Sequence, residues 1–280
     1  MNGALIIAGL TIKEASRRRA LWASAIVALL FGLFAFMPLN LSHNNPMLGM
    51  EGIRDYTSKV MAWLGCGMIK FFSSVLAVTL AAGAISAEAE RGVLSVVLPK
   101  PISRLSVYIG KWIGLLAIVL GSVAFWAVLL ALAIHRQTDI FHPLMFRGVA
   151  ATCLFPILFV TMTLFFSSFS GFALSAGLAL ILAGTSLAQD ILHGLSQMFT
   201  SATLQTLSVF AGNLVPLGRM NHWISLGLGD AGLDPNTMRA GFDRSVNADV
   251  IVTHGDMVYV IAYIAVFLAA GIWIFQKRDV

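Results

Sequence analysis

Residues 107–134 read VYIGKWIGLLAIVLGSVAFWAVLLALAI, and Lys111 is the one charge in the run. A helix needs about 20 apolar residues to cross the ~30 Å of hydrocarbon in a bilayer. Inside that medium every backbone N–H and C=O must be satisfied by the protein, so only helices and closed barrels can cross it. The run lacks the period-2 alternation of a barrel strand, which leaves a helix. Comparable runs occur at 21–38, from between 61 and 71 to about 87, at 148–166, 172–192 and 257–275. With 107–134 they predict an all-α membrane protein with six transmembrane helices. Composition agrees, because 11% of the 280 residues are charged, against ~25% in a soluble domain. No composition shift divides the chain, so 1–280 is expected to form a single transmembrane domain.

The stretch 2–19 (NGALIIAGLTIKEASRRR) reads as a short amphipathic helix in the membrane interface, with Leu5, Ala8 and Ile12 on one face. The alternative is that it simply begins a long first span. Residues 20–38 are too long for a signal-peptide core and have no convincing cleavage site, so a retained first span is expected. Lys70 lies within the outer part of the second span, where its side chain is able to snorkel to the interface. Residues 193–256 are the most polar part of the chain and are expected to form an outer segment before the last span. Within it, 198–218 carries five Ser/Thr, a Gln and an Asn. That makes it a poor span, better suited to lying on or dipping into the outer face than to a seventh crossing.

The formal net charge of +5 does not point to nucleic acid, because the basic residues gather at span ends. Six spans put both termini on one side. That side carries Lys13, Arg17, Arg18, Arg19, Arg91, Lys100, Arg104, Lys111, Lys277 and Arg278, ten in all. The other side has eight, of which Arg219, Arg239 and Arg244 fall in the long polar segment, where charge has little influence on topology. Ten against five places the termini and the 88–106 connector in the cytoplasm. Cys66 and Cys153 both fall in or beside apolar runs and make neither a zinc spacing nor a disulfide framework.

That connector contains the densest chemistry in the sequence. Residues 85–104 read ISAEAERGVLSVVLPKPISR. Glu88 and Glu90 follow the second span at once, and Arg91 and Gly92 come next. Residues 88–98 can form a short helix with Val93, Val96 and Val97 on one side. Pro99 and Pro101 end it, since neither has an N–H to continue the ladder. Ser103 is placed to cap the helix that becomes the third span. A rigid, partly apolar helix at the surface suits docking into a groove on a partner; a plain amphipathic connector is the other reading.

The longer stretch 85–114 (ISAEAERGVLSVVLPKPISRLSVYIGKWIG) resembles the signature of ABC-2-type transporter permeases. Glu88, Glu90, Gly92, Leu94, Pro101, Ser103, Arg104, Gly110 and Lys111 match it, and the likeness in topology extends over the whole chain. A similarity to the NosY-like branch rests on Asn213-Leu214-Val215-Pro216-Leu217 alone. The resemblance implies the membrane half of an exporter in a bacterial cytoplasmic (inner) membrane, paired with a second permease chain, identical or not. It also implies a separate cytoplasmic ABC ATPase holding ATP and Mg, with no cofactor bound by this chain. No G-x-x-x-x-G-K-[ST] occurs in the sequence. By analogy Glu88, Glu90, Arg91, Gly92, Leu94, Pro101, Ser103 and Arg104 would form the coupling segment that fits a groove on that ATPase.

Other constellations are weaker. Gly227-Leu228-Gly229-Asp230 spells the GxGD of intramembrane aspartyl proteases, but a polar loop follows it. Asp190 and His193 share a helix face near the outer end of the fifth span, and with Lys70 they are candidate pathway residues; ordinary interfacial charges are the alternative. Met61, Cys66 and Met68 are soft donors able to hold Cu(I), although methionine is also a common core filler. Gly110–Gly114 is a G-x-x-x-G, suited to close helix packing. An ion-coupled secondary transporter or channel that needs no ATPase stays open as a second function class. A membrane-embedded enzyme is a third, for which no catalytic set converges at one depth. The transported substrate is not written in these residues.

Overall fold

The protein is described by a computed structural model over residues 2–16, 26, 29, 32, 50–86, 103–139, 144–199, 202–228 and 254–277. The helices, in chain order, are α1 (Asn2–Ser16), α2 (Met50–Ala82), α3 (Arg104–Thr138), α4 (Leu144–Thr152) and α5 (Leu154–Ser167). They continue with α6 (Phe172–Phe199), α7 (Ala202–Leu214), α8 (Leu217–Leu228) and α9 (His254–Lys277). No strand occurs among the described residues. Among those residues, four stretches are long and apolar enough to cross a membrane: Arg54–Ala82, Arg104–Thr138, Met145–Ser167 and Asp256–Lys277. They correspond to the second, third, fourth and last spans of the sequence. In α6 the apolar part is the shorter Phe172–Thr185. The expected first span at 21–38 lies outside the described residues, apart from Ile26, Leu29 and Gly32, which are helical.

Two ends of the bundle can be told apart. α2 ends at one, called proximal here; α2 and α3 are tied together at the other, the distal end. There Arg54 and Asp139 approach to 3.8 Å. Asp139 closes α3 in a left-handed conformation (φ 55°), its N–H donating to His135 O at 2.9 Å. In between, Gly65 of α2 leaves room for the Leu130 side chain of α3. The core draws on Ile69, Leu76, Ala77 and Leu80 of α2, Val119 and Leu130 of α3, and Leu158 and Met162 of α5. Phe125, Val128 and Leu132 of α3 and Ile261, Val266 and Trp273 of α9 are exposed. Large apolar side chains on the outside of an apolar bundle are what a lipid solvent calls for.

The fourth span is α4 and α5 together. Pro156 has no N–H to give the carbonyl four residues back, so the helix breaks register at Cys153. The chain continues through it: Cys153 N–H donates to Val149 O at 3.1 Å, and Ile157 N–H to Cys153 O at 3.4 Å. At the proximal end, Phe267 of α9 packs edge-on to Phe165 of α5, with ring centroids 5.2 Å apart.

The polar segment 193–256 contains, among its described residues, two helices after α6 that the sequence did not separate. α7 packs against α6 across a two-residue connection, and α8 packs on α4. With 13 residues, α7 rises ~20 Å, too little to cross the hydrocarbon alone. At its C-terminal end α8 crosses α4 closely: a Cβ at Gly227 would lie 2.9 Å from the Arg147 carbonyl carbon, and one at Gly148 would lie 2.6 Å from Leu228. At its other end Asn221 reaches Lys70 and, with it, Phe155. α8 thus runs antiparallel to the fourth span, from its middle to its distal end. Gly227 of the GxGD sequence is a packing glycine, and Asp230 lies outside the described residues.

On α1, Leu5 and Ile12 are exposed, together with Ile6 and Leu10, whereas Ala8 is buried. The face against the protein is Ile7, Ala8, Thr11 and Ala15, because α1 lies on the glycines of α3. One expectation needs correction: α2 starts earlier than expected, at Met50, and ends at Ala82 in a turn. It does not run to about 87.

The G-x-x-x-G at 110–114 is what admits α1. A Cβ at Gly110 would lie 2.6 Å from Ala4 O, and one at Gly114 would lie 2.9 Å from Ala8 O and 2.8 Å from Thr11 Cβ. Backbone atoms cannot yield as a flexible side chain does. Gly110→Ala is therefore expected to lower the thermal midpoint of the detergent-solubilised protein, at a cost of about 1–3 kcal/mol for overpacking. Gly121→Ala, where nothing lies within 4 Å, serves as the matched control and should leave the midpoint unchanged. Equal midpoints for the two variants would remove the role given to Gly110.

Candidate functional site: the anchors of the 87–102 segment

The connector itself, with Glu88, Glu90, Arg91, Gly92, Leu94 and Pro101, lies outside the described residues. Its two points of attachment are described.

At the entry, α2 stops and residues 83–85 form a turn. A helix end leaves carbonyls without intrahelical partners, and here the end is buried, so partners must come from elsewhere. Ser86 Oγ donates to Ala82 O at 2.9 Å. Ser167, at the end of α5, donates through Oγ to the same carbonyl at 2.8 Å. It also accepts from the N–H groups of Ile85 and Ser86 at 3.3 and 3.1 Å. From α3, Lys111 Nζ donates to Ala84 O at 2.5 Å. Lys111 is 5% exposed although it carries a charge. With Glu14 and Thr11 of α1 it lines a small cavity that Leu80 and Leu115 also enclose.

At the exit, Ser103 is the N-cap of α3, and its side chain accepts from Ser106 N–H at 3.2 Å. Arg104 Nη1 donates to Gln276 O at 3.1 Å, at the end of α9. One turn further on, Tyr108 is fully buried against Phe275, with ring centroids 5.9 Å apart, in space that Gly271 leaves open. Trp112 Nε1 then donates to Thr161 Oγ1 of α5 at 2.9 Å. The segment is thus held at its entry by α5 and α3, and at its exit by α9.

The candidate pathway residues fall elsewhere. Lys70 does not snorkel outward: its Nζ donates to Asn221 Oδ1 at 2.9 Å and lies 5.4 Å from the centre of the Phe155 ring. Phe155 is twelve residues before the end of α5, about 18 Å along the helix, so this contact sits well inside the bundle. Asn221 was not singled out in the sequence, and nothing there distinguishes it from a surface asparagine. Asp190 and His193 lie on α6, three residues apart, and their side chains lie outside the described residues. Met61 and Cys66 are buried in the core, with Met68 packed against it.

A second polar cluster binds the start of α8 to α9. Arg219 pairs with Asp256 at 3.0 Å, donates to Asn213 Oδ1 at 3.0 Å and lies 4.6 Å from the centre of the Tyr259 ring. Tyr259 OH in turn donates to the Asn213 carbonyl. This arrangement fixes the α7–α8 corner between α2 on one side and α9 on the other.

These features define an integral membrane protein: helices apolar and long enough to cross a bilayer, a polar connector anchored at one end of the bundle, and a helical corner held by polar contacts. Over residues 5–280 the chain matches the family described as ABC-2 family transporter protein, and it belongs to that family. No curated protein matches it. Members are the membrane component of a transporter, lack a nucleotide-binding domain of their own and normally work with an ATP-binding subunit.

The Arg219–Asp256 pair is one-fifth to one-third exposed. Its rupture should cost between the ~1 kcal/mol of an exposed pair and the ~3 kcal/mol or more of a buried one. Asp256→Asn and Arg219→Met are each expected to lower the thermal midpoint, and the double variant to lower it by less than the sum. Strict additivity would show that the two side chains act independently.

Proposed function

We propose that this chain is the permease subunit of an ATP-driven exporter and that 88–104 is the segment through which a separate ATPase acts on it. The family supplies the class. The observation that carries the docking reading is the double anchorage: a short connector whose entry is fastened to α5 and α3 and whose exit is fastened to α9. The entry bonds satisfy the buried end of α2, and two of the side chains that make them belong to other spans. A load applied to it would reach three spans at once.

In this reading the chain forms a single transmembrane domain of six spans: 21–38, α2, α3, the α4–α5 pair, α6 and α9. The positive-inside count supports cytoplasmic termini in a bacterial inner membrane, with 88–106 on the same side and 193–256 on the outer face. Glu88, Glu90, Arg91, Gly92 and Leu94 form the docking surface. Pro101 and Ser103 stop one helix and start the next, and Arg104 ties that restart to α9. ATP and Mg belong to the partner ATPase, which contributes the hydrolysis. A second permease chain, identical or not, completes the pathway, and transport runs outward. Lys70, Asp190 and His193 are the polar groups to test along that pathway.

Mild-detergent purification of the tagged chain from its native membrane is expected to bring down a stoichiometric P-loop ATPase. Glu88→Ala/Glu90→Ala should insert normally, lower the ATPase yield and reduce the nucleotide hydrolysis recovered with the chain. A wild-type chain that purifies alone would remove the reading.

A further inference from the structure

We propose that Ser167 is a positioning residue for coupling: its hydroxyl clasps the entry of the 87–102 segment to the corner between α5 and α6, so that motion of the segment is delivered to those helices. The inference rests on the function proposed above and goes beyond it, because it names where the load goes.

Three observations carry it. The first is the number of bonds made by one side chain. Ser167 is fully buried, and its single oxygen serves the Ala82 carbonyl and the Ile85 and Ser86 amides together. These are the polar groups exposed by the end of α2, and they are the last described residues before the segment. Ser86 caps Ala82 through its own Oγ, but the buried Ile85 and Ser86 amides take their acceptor from more than eighty residues away, on α5.

The second is the stiffness of the corner that Ser167 belongs to. Ser168 Oγ donates to Phe165 O and Ser170 Oγ to Phe166 O. Ser170 Oγ and Ser175 Oγ lie 2.9 Å apart, and Ser175 Oγ donates to Gly171 O at 2.8 Å. The turn thus binds both the end of α5 and the first turn of α6. Phe165 also packs on Phe169 within it, with centroids 5.4 Å apart. A corner so closed moves as a piece. The third observation is the way onward. From the same aromatic group Phe165 and Phe166 contact Phe267 of α9, the helix to which Arg104 fastens the exit of the segment. Entry and exit therefore both bear on α9.

Phe169 is exposed on this corner, whereas the natural thiols are buried at Cys66 and partly buried at Cys153. Phe169→Cys thus offers a reporter. Its rate of labelling by a polar maleimide would be measured in membranes holding the chain and its ATPase, with and without ATP and vanadate. The unsubstituted chain provides the background. We expect trapping to change the labelling rate of the Phe169→Cys chain. When Ser167→Ala is added, the ATPase should still purify with the chain, but the rate should no longer respond to nucleotide. Ser167→Thr, which keeps the hydroxyl, should restore the response.

A nucleotide response in Ser167→Ala equal to that with Ser167 intact would overturn the proposal. So would the absence of any response in the Phe169→Cys chain with Ser167 intact, a result that stands even if Ser167→Ala does not accumulate. Failure of the ATPase to purify with the Phe169→Cys chain would instead count against the function itself, and is read separately from labelling.

Discussion

A helix that ends inside an apolar bundle must find partners for its last carbonyls, and the end of α2 is where this protein meets that demand. In water those groups would be solvated at no structural cost. In a dry interior each one left alone costs about 1–3 kcal/mol. The chain answers with Ser86, Ser167 and Lys111, drawn from the turn after α2, from the end of α5 and from α3. Much of the proximal architecture follows. Lys111 must be enclosed, and α1 lies over it on Gly110 and Gly114. Ser167 must be held in place, and the serine-rich corner that follows it does so.

Two cations organise the α7–α8 corner. Lys70 of α2 reaches Asn221 of α8 inside the bundle, and Arg219 of α8 itself, one-third exposed, pairs with Asp256 of α9. The Lys70 bond, in apolar surroundings, is stronger than it would be in water, but its rupture is also costlier. That combination suits an element with a small number of defined positions. The same corner brings Asn213 and Arg219 against the start of α9, where Tyr259 and Asp256 meet them.

Some of this was legible in the sequence. Apolar run length located the second, third, fourth and last spans, because a bilayer sets a minimum that few other constraints imitate. Ser103 as a cap and Gly110–Gly114 as a packing site followed from local chemistry. The long-range partners were not legible. Ser167 sits in a run of serines that reads as an ordinary turn, and only the fold brings it to Ala82. Asn221 looks like any polar residue in a loop until α8 carries it to Lys70. Which face of α1 meets the protein was not legible either: lipid can take Leu5 and Ile6, and the close contact belongs to Ala8 and Thr11.

The central claim is that a nucleotide-hydrolysing partner grips this chain through the connector that α2, α3, α5 and α9 hold in place. The most direct measurement is a site-specific cross-link. A photoreactive probe on Ser95→Cys, within the connector, would be activated in native membranes and the adducts identified by mass spectrometry, with Asn236→Cys in the outer segment as the control. An adduct between residue 95 and a P-loop ATPase is expected, and none from residue 236. An ATPase adduct from neither position, or from residue 236 alone, would contradict the claim.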